Sequence, residues 1–234
     1  MDIINITNLK KEYNTVRAVD ITSLNICHGE IVAIVGNNGA GKTTLLRLML
    51  DLIKATSGSV CSRGKDVSRS EEWKTYTSAF LDTNFLIEFL TPEEYFKFIA
   101  DCYKLNQTTC QIRINEFHPF MNNEILNQQK YIKNFSSGNK QKIGIIGSIL
   151  PKPEVLILDE PFNYLDPTSQ FFIRDYLTKL NKTDRMTMII SSHNLDCVYD
   201  IATRLIVLEK GEIIKCYHSI NSTTKEELKD YFKL

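Results

Sequence analysis

The eight residues Gly36-Asn37-Asn38-Gly39-Ala40-Gly41-Lys42-Thr43 constrain this chain more than any other feature in it. They follow the spacing GxxxxGK[ST] between an apolar run, EIVAIVG at 30–36, and the leucine-rich stretch Lys42–Ile53. A nearly continuous apolar run ending in glycine predicts a strand buried on both faces. Leucines at 45, 46, 48 and 50 predict a helix packed on that strand. Between the two, glycines let the backbone fold into a concave nest whose N–H groups point at phosphate oxygens, and the helix N-terminus adds partial positive charge. In that reading Lys42 bridges the β- and γ-phosphates, the Thr43 hydroxyl ligates Mg²⁺, and Thr44 bonds the α-phosphate. Binding of a nucleoside triphosphate is the expectation.

A second apolar run, Val155-Leu156-Ile157-Leu158, ends in Asp159-Glu160. In doubly wound sheets ligands lie beyond the carboxyl ends of the strands, which places both acids beside the phosphate loop. Asp159 is then positioned to hold Mg²⁺ through a water, since that hard ion keeps water ligands. Glu160, one residue on, can orient or deprotonate an attacking water.

The rest of the chain reads as an α/β fold with an added helical lobe. Residues 2–9 and 16–26 predict strands of an N-terminal antiparallel β subdomain, with further strands near 58–62 and at Thr77–Leu81. From 91 to 150 the pattern turns helical. Thr91-Pro92-Glu93-Glu94 looks like a helix cap, an interruption falls near His118–Pro119, and a last helix runs from Ser136 to Ile149. The core resumes with EVLILDEP at 154–161, a helix over 168–180, a strand at 186–191, a short helix, and a hairpin over 204–217 turning at Lys210-Gly211. A tail helix is expected from Thr223. Strands alternating with helices argue for a mainly parallel sheet. The expected organisation is one domain over 1–234, its core made of 1–90 and 151–234 and its helical part of 91–150.

Charge and composition exclude several classes. Lys plus Arg (28) balance Asp plus Glu (28), so no bulk basic field exists to hold nucleic acid. No apolar stretch is long enough to span a bilayer, and MDIINITNLKKEY lacks the apolar segment of a secretory signal. The six cysteines form no CxxC pair and no metal-ligand spacing, as expected of reduced thiols in a cytosolic chain.

With these elements placed, the chain resembles the nucleotide-binding subunit of an ABC transporter, a phosphate-loop NTPase fold, over nearly its full length. Phe135-Ser136-Ser137-Gly138-Asn139-Lys140-Gln141 resembles the family signature that opens the last helix of the helical lobe. Asp166, in Tyr164-Leu165-Asp166-Pro167, matches the family's D-loop. His193, in Ser191-Ser192-His193, matches the switch histidine that reaches the γ-phosphate, and Tyr13 stands where the family stacks an aromatic ring on adenine. The resemblance implies that Ser136 and Gly138 reach the ATP bound by a second subunit, so that two nucleotides are sandwiched in a head-to-tail pair. ATP binding then closes the pair and hydrolysis reopens it.

Two positions depart from the family pattern. The signature reads FSSGN where LSGGQ is the commonest form; the run S-x-G-x-K-Q at 136–141 is similar to a subgroup tied to drug, antibiotic or bacteriocin export. At the family's glutamine loop the position falls on Asp82, with Asn84 a second candidate if the loop is shorter. An ionised Asp offers only acceptors where glutamine offers both an acceptor and a donor. Asp82 could still hold Mg²⁺ through a water. The resemblance further implies a separate transmembrane permease as partner, docked on the lobe and on the apolar loop Phe85, Leu86, Ile87, Phe89 and Leu90. It implies residence at the cytoplasmic membrane face through that partner, and either a homodimer or a heterodimer with another such ATPase. Two other readings compete with transport: a soluble ABC ATPase that drives complex assembly, and a nucleotide-binding regulator with little turnover.

Overall fold

Five strands line up in parallel, the central ones buried on both sides. In the computed structural model, which describes residues 1–221 and 224–228, these are β3 (Ile31–Val35), β6 (Thr77–Phe80), β7 (Val155–Leu158), β8 (Thr187–Ser192) and β9 (Arg204–Glu209). With β10 (Glu212–Tyr217) antiparallel at one edge they form a six-stranded sheet in the order β10-β9-β3-β8-β7-β6. Alternate side chains serve two cores. Ile31, Ala33, Val35, Leu156, Leu158, Met188 and Ile190 face one, while Val32, Ile34, Val155, Ile157 and Ile189 face the other.

The second of these cores lies under α1 (Lys42–Met49) and a four-stranded antiparallel sheet ordered β2-β1-β4-β5. Its strands are β1 (Asp2–Tyr13), β2 (Val16–Cys27), β4 (Ser57–Ser62) and β5 (Lys65–Asp66). The helix expected over 42–53 stops at Met49, and Asp51 turns the chain at φ 49°. The first core is covered by α2 (Pro92–Cys102), α3 (Gln107–Asn115), α4 (His118–Met121), α5 (Ser137–Ile149) and α6 (Pro167–Asp184).

Thr91 forms the expected cap, with Glu94 completing a reciprocal capping box. The interruption expected near His118–Pro119 is found between α3 and α4, with His118 opening the second of these helices. Residues 122–131 are not helical, and Asn122, Asn123, Asn127 and Gln129 there hold positive φ; Asn visits that region more readily than most residues do. Lys210 and Gly211 both have positive φ, as a two-residue hairpin turn requires. A short helix, α7 (Leu195–Val198), follows β8. Of the tail helix expected from Thr223, residues 224–228 are helical and the remainder lies outside the described residues. None of the six cysteines is disulfide-bonded.

Candidate nucleotide-binding site

The phosphate loop joins β3 to α1, with Asn37, Asn38 and Gly39 exposed at its rim and Ala40 buried. Two glycines are fixed by neighbouring backbone. A Cβ on Gly36 would stand 2.3 Å from the Leu208 carbonyl oxygen, and one on Gly41, at φ 104°, would stand 2.4 Å from that of Ala18. The loop is braced from β9–β10: Gly211 N donates to Ala40 O at 2.9 Å, and Asp20 N donates to Gly211 O at 2.8 Å. Lys42 is only 7% exposed, and its Nζ lies 2.6 Å from Gly36 O and 3.3 Å from Glu160 Oε1. Thr43, on the first turn of α1, donates its hydroxyl to Asp159 Oδ2 at 2.5 Å. Thr44 follows it, half-buried.

Asp159 leaves the end of β7 into a buried position. Burial pushes its carboxyl above the usual Asp value, against the opposing pull of hydrogen bonds from Ser191 and Thr43. Glu160 follows at φ 47°, a left-handed conformation unusual for a residue with a side chain. Its Oε2 lies 2.9 Å from His193 Nδ1, so Glu160 stands between Lys42 and His193. An ammonium, a hydroxyl, two carboxylates and an imidazole so grouped are side-chain types that can meet a triphosphate and a water. The Thr43 hydroxyl beside the Asp159 carboxylate is a hard-oxygen donor set that suits Mg²⁺ with water completing its shell.

The run at 135–141 packs against the segment that follows Glu160, with Gly138 close to the Tyr164 carbonyl. Ser136 caps α5, accepting the Asn139 N–H at 3.3 Å. Further along the same helix Gln141 Nε2 donates to Glu160 O at 3.1 Å, and Lys142 Nζ lies 3.5 Å from Asp166 Oδ2. Asp166 caps α6 through Ser169.

Lys42, Thr43, Asp159, Glu160 and His193 therefore converge. Among the described residues no hydrogen bond joins Ser136, Gly138, Tyr13 or Asp82 to that group. Tyr13 is 46% exposed with Lys11 Nζ 4.8 Å from its ring centre. Asp82 caps the turn at Thr83–Phe85 by accepting the N–H of Asn84 at 2.9 Å. In the apolar loop after it, Phe85 and Phe89 are exposed, whereas Leu86 is buried and Ile87 and Leu90 pack against the core. Phe85 edges a cavity of 340 Å³ lined also by Leu50, Leu52, Trp73, Tyr95 and Tyr103.

Sequence reasoning missed two contributors, Ser191 and Gln141. Ser191 carried one signal, a polar residue at the carboxyl end of an otherwise apolar strand. Gln141 carried none beyond its place in the signature run.

Comparison with known proteins agrees with this geometry. A family model described as ABC transporter matches residues 19–163. The chain is 31% identical over 228 residues to the lantibiotic transport ATP-binding protein SrtF of Streptococcus pyogenes, covering 97% of this chain and 95% of that one. It is also 31% identical over 223 residues to the methionine import ATP-binding protein MetN of Chlamydia felis, covering 90% of this chain and 64% of that one. Its fold matches the solved structure of an ATP-binding subunit of an ABC transporter with a TM-score of 0.82, at 23% identity over 99% of this chain and 94% of that one. Among the described residues no helix is long and apolar enough to cross a membrane. The chain belongs to the ABC transporter family, as an ATP-binding ATPase subunit.

Proposed function

We propose that this subunit powers export by ATP-driven closure of a two-fold pair. The observation that carries the reading is the placement of Glu160 between Lys42 and His193, 3.3 Å from the one and 2.9 Å from the other. Incoming ATP takes over the Lys42 ammonium for its β- and γ-phosphates, with the loop N–H groups of 36–43 around them and Thr44 on the α-phosphate. Freed from Lys42, Glu160 turns to a water and orients it for in-line attack on the γ-phosphorus. His193 steadies the charge on the transferring group. Thr43 and Asp159 would hold Mg²⁺, which would neutralise phosphate charge; Asp82 lies on the loop that would reach it through a water. Tyr13 supplies a ring for adenine.

Ser136 and Gly138 contact the γ-phosphate held by the second copy or by a related cassette, and Asp166 stands at that junction. ATP then touches both faces of the closed pair but only one when open, which shifts the population toward closure. Loss of the γ-phosphate removes those contacts and the pair parts. The exposed Phe85 and its cavity face a separate transmembrane permease, which holds the subunit at the cytoplasmic membrane face. The export direction rests on the S-x-G-x-K-Q run at 136–141, and the balanced charge supports no nucleic-acid partner. The assembly-ATPase reading would instead give co-purification with a soluble scaffold.

The decisive variant is Glu160→Gln. It should bind ATP, hydrolyse it about 10²-fold more slowly or worse, and accumulate as a pair holding two nucleotides. Wild-type turnover in this variant would overturn the assignment.

A further inference from the structure

β8 runs between β3, which delivers the phosphate loop, and β7, which delivers Asp159 and Glu160. Its pairing with β7 ends at Leu158 opposite Ile190, one residue short of Ser191. Beyond that point a side chain takes over from the backbone ladder. The Ser191 hydroxyl donates to Asp159 Oδ1 and accepts the Glu160 N–H at 2.9 Å. Ser191 is fully buried, at 0% exposure, out of contact with bulk water.

Both recipients need this support. Asp159 is also buried, and its second oxygen is already engaged by Thr43 at 2.5 Å. Glu160 sits in a left-handed conformation that a residue with a side chain keeps only when its surroundings hold it there. A hydroxyl is the small group that can give one hydrogen bond and accept another at once.

We propose that Ser191 is a positioning residue for ATP hydrolysis, its one hydroxyl setting the Asp159 carboxylate toward Thr43 and pinning the turn that aims Glu160. The proposal rests on the roles given above to Asp159 and Glu160. Alanine at 191 removes both hydrogen bonds, leaving Oδ1 of the buried Asp159 and the Glu160 N–H without these partners. Threonine keeps the hydroxyl and adds a methyl group.

The test compares Ser191→Ala and Ser191→Thr in the full-length chain. Ser191→Ala should lower kcat about 10–100-fold, the usual range for a residue that orients a metal-side ligand, with KM for ATP little changed. The Mg²⁺ concentration giving half-maximal rate should rise. In thermal unfolding, the gain in Tm that Mg²⁺ adds to ATP should shrink, while the gain from ATP with EDTA stays as in the wild type. Ser191→Thr should restore kcat and the Mg²⁺ gain.

Wild-type kcat and Mg²⁺ requirement in Ser191→Ala would overturn the proposal. So would a Ser191→Thr that unfolds at the wild-type Tm yet turns over as slowly as Ser191→Ala. Should Ser191→Ala fail to fold, Ser191→Cys, of similar size but a weak donor, carries the same comparison. A Glu160→Gln chain with undiminished turnover would bring down the Glu160 assignment and this proposal together. A slow Glu160→Gln beside an unaffected Ser191→Ala would remove only the proposal.

Discussion

Gly138 packs so closely on the carbonyl of Tyr164 that a methyl group in its place would stand 2.6 Å from that oxygen. The first turn of α5 and the segment that follows Glu160 thus meet where only hydrogen fits, and Gln141 and Lys142 secure the same junction at Glu160 O and Asp166. These contacts tie the first turns of α5 to the backbone that runs from Glu160 to Asp166.

Gly138→Ala should therefore do two things. It should destabilise the fold by about 1–3 kcal/mol, the usual cost of overpacking. It should also abolish the nucleotide-trapped pair in a Glu160→Gln background while the single subunit still binds ATP. Size-exclusion chromatography with ATP reads the second effect, and a pair formed in undiminished yield would refute it.

Acid stability should report on Asp166. Hydrogen bonds from Ser169 hold its carboxyl down at about 2, against an ordinary value of 3.8. A carboxyl depressed on folding adds stability above its unfolded value, and that stability is lost as pH falls toward the folded one. The window is therefore between about pH 4 and pH 2. Asp166→Asn keeps a cap acceptor but does not titrate. Its urea midpoint should decline less steeply across that window than the wild type's; identical slopes would remove Asp166 from the acid response.

Partner docking should be sensitive at Phe85, which is 56% exposed beside the 340 Å³ cavity. Phe85→Asp places a charge where an apolar contact is proposed. Recovery on membrane vesicles carrying the permease should fall about tenfold, equivalent to ~1.4 kcal/mol, with basal hydrolysis unchanged. Equal recovery would move the docking surface elsewhere.

Helix α5 offers a sign test. Gly to Ala inside an exposed helix stabilises by up to about 1 kcal/mol. At Gly144, however, the new Cβ would stand 2.0 Å from the Phe80 ring, which is only 4% exposed and cannot swing clear. Overpacking wins, and Gly144→Ala should lose about 1–3 kcal/mol in urea unfolding. A stabilised variant would show that α5 can lift off β6.

The loop at 36–43 and the acids at 159–160 were legible because their chemistry ties residue type to spacing, and the strands that carry them are apolar on both faces. Boundaries were legible where a cap marks them, as at Thr91, and misread where the chain turns through positive φ, as at Asp51. The hydroxyl of Ser191 and the amide of Gln141 were hidden for another reason. Each acts on a residue distant in sequence, through a register that only the assembled sheet and helix define. Tyr13 and Asp82 were named by resemblance alone, and their surroundings here are local: a neighbouring lysine for one, a turn of its own for the other.

The brace from Gly211 to Ala40 has a consequence for how the protein comes into being. On the ribosome, the glycine-rich loop emerges well before the turn that buttresses it. A nascent chain halted after residue 163 would carry the nucleotide motif without its buttress. The loop's native shape is thus gained only once Gly211 has emerged, so chains stopped before it should not be able to trap cellular ATP.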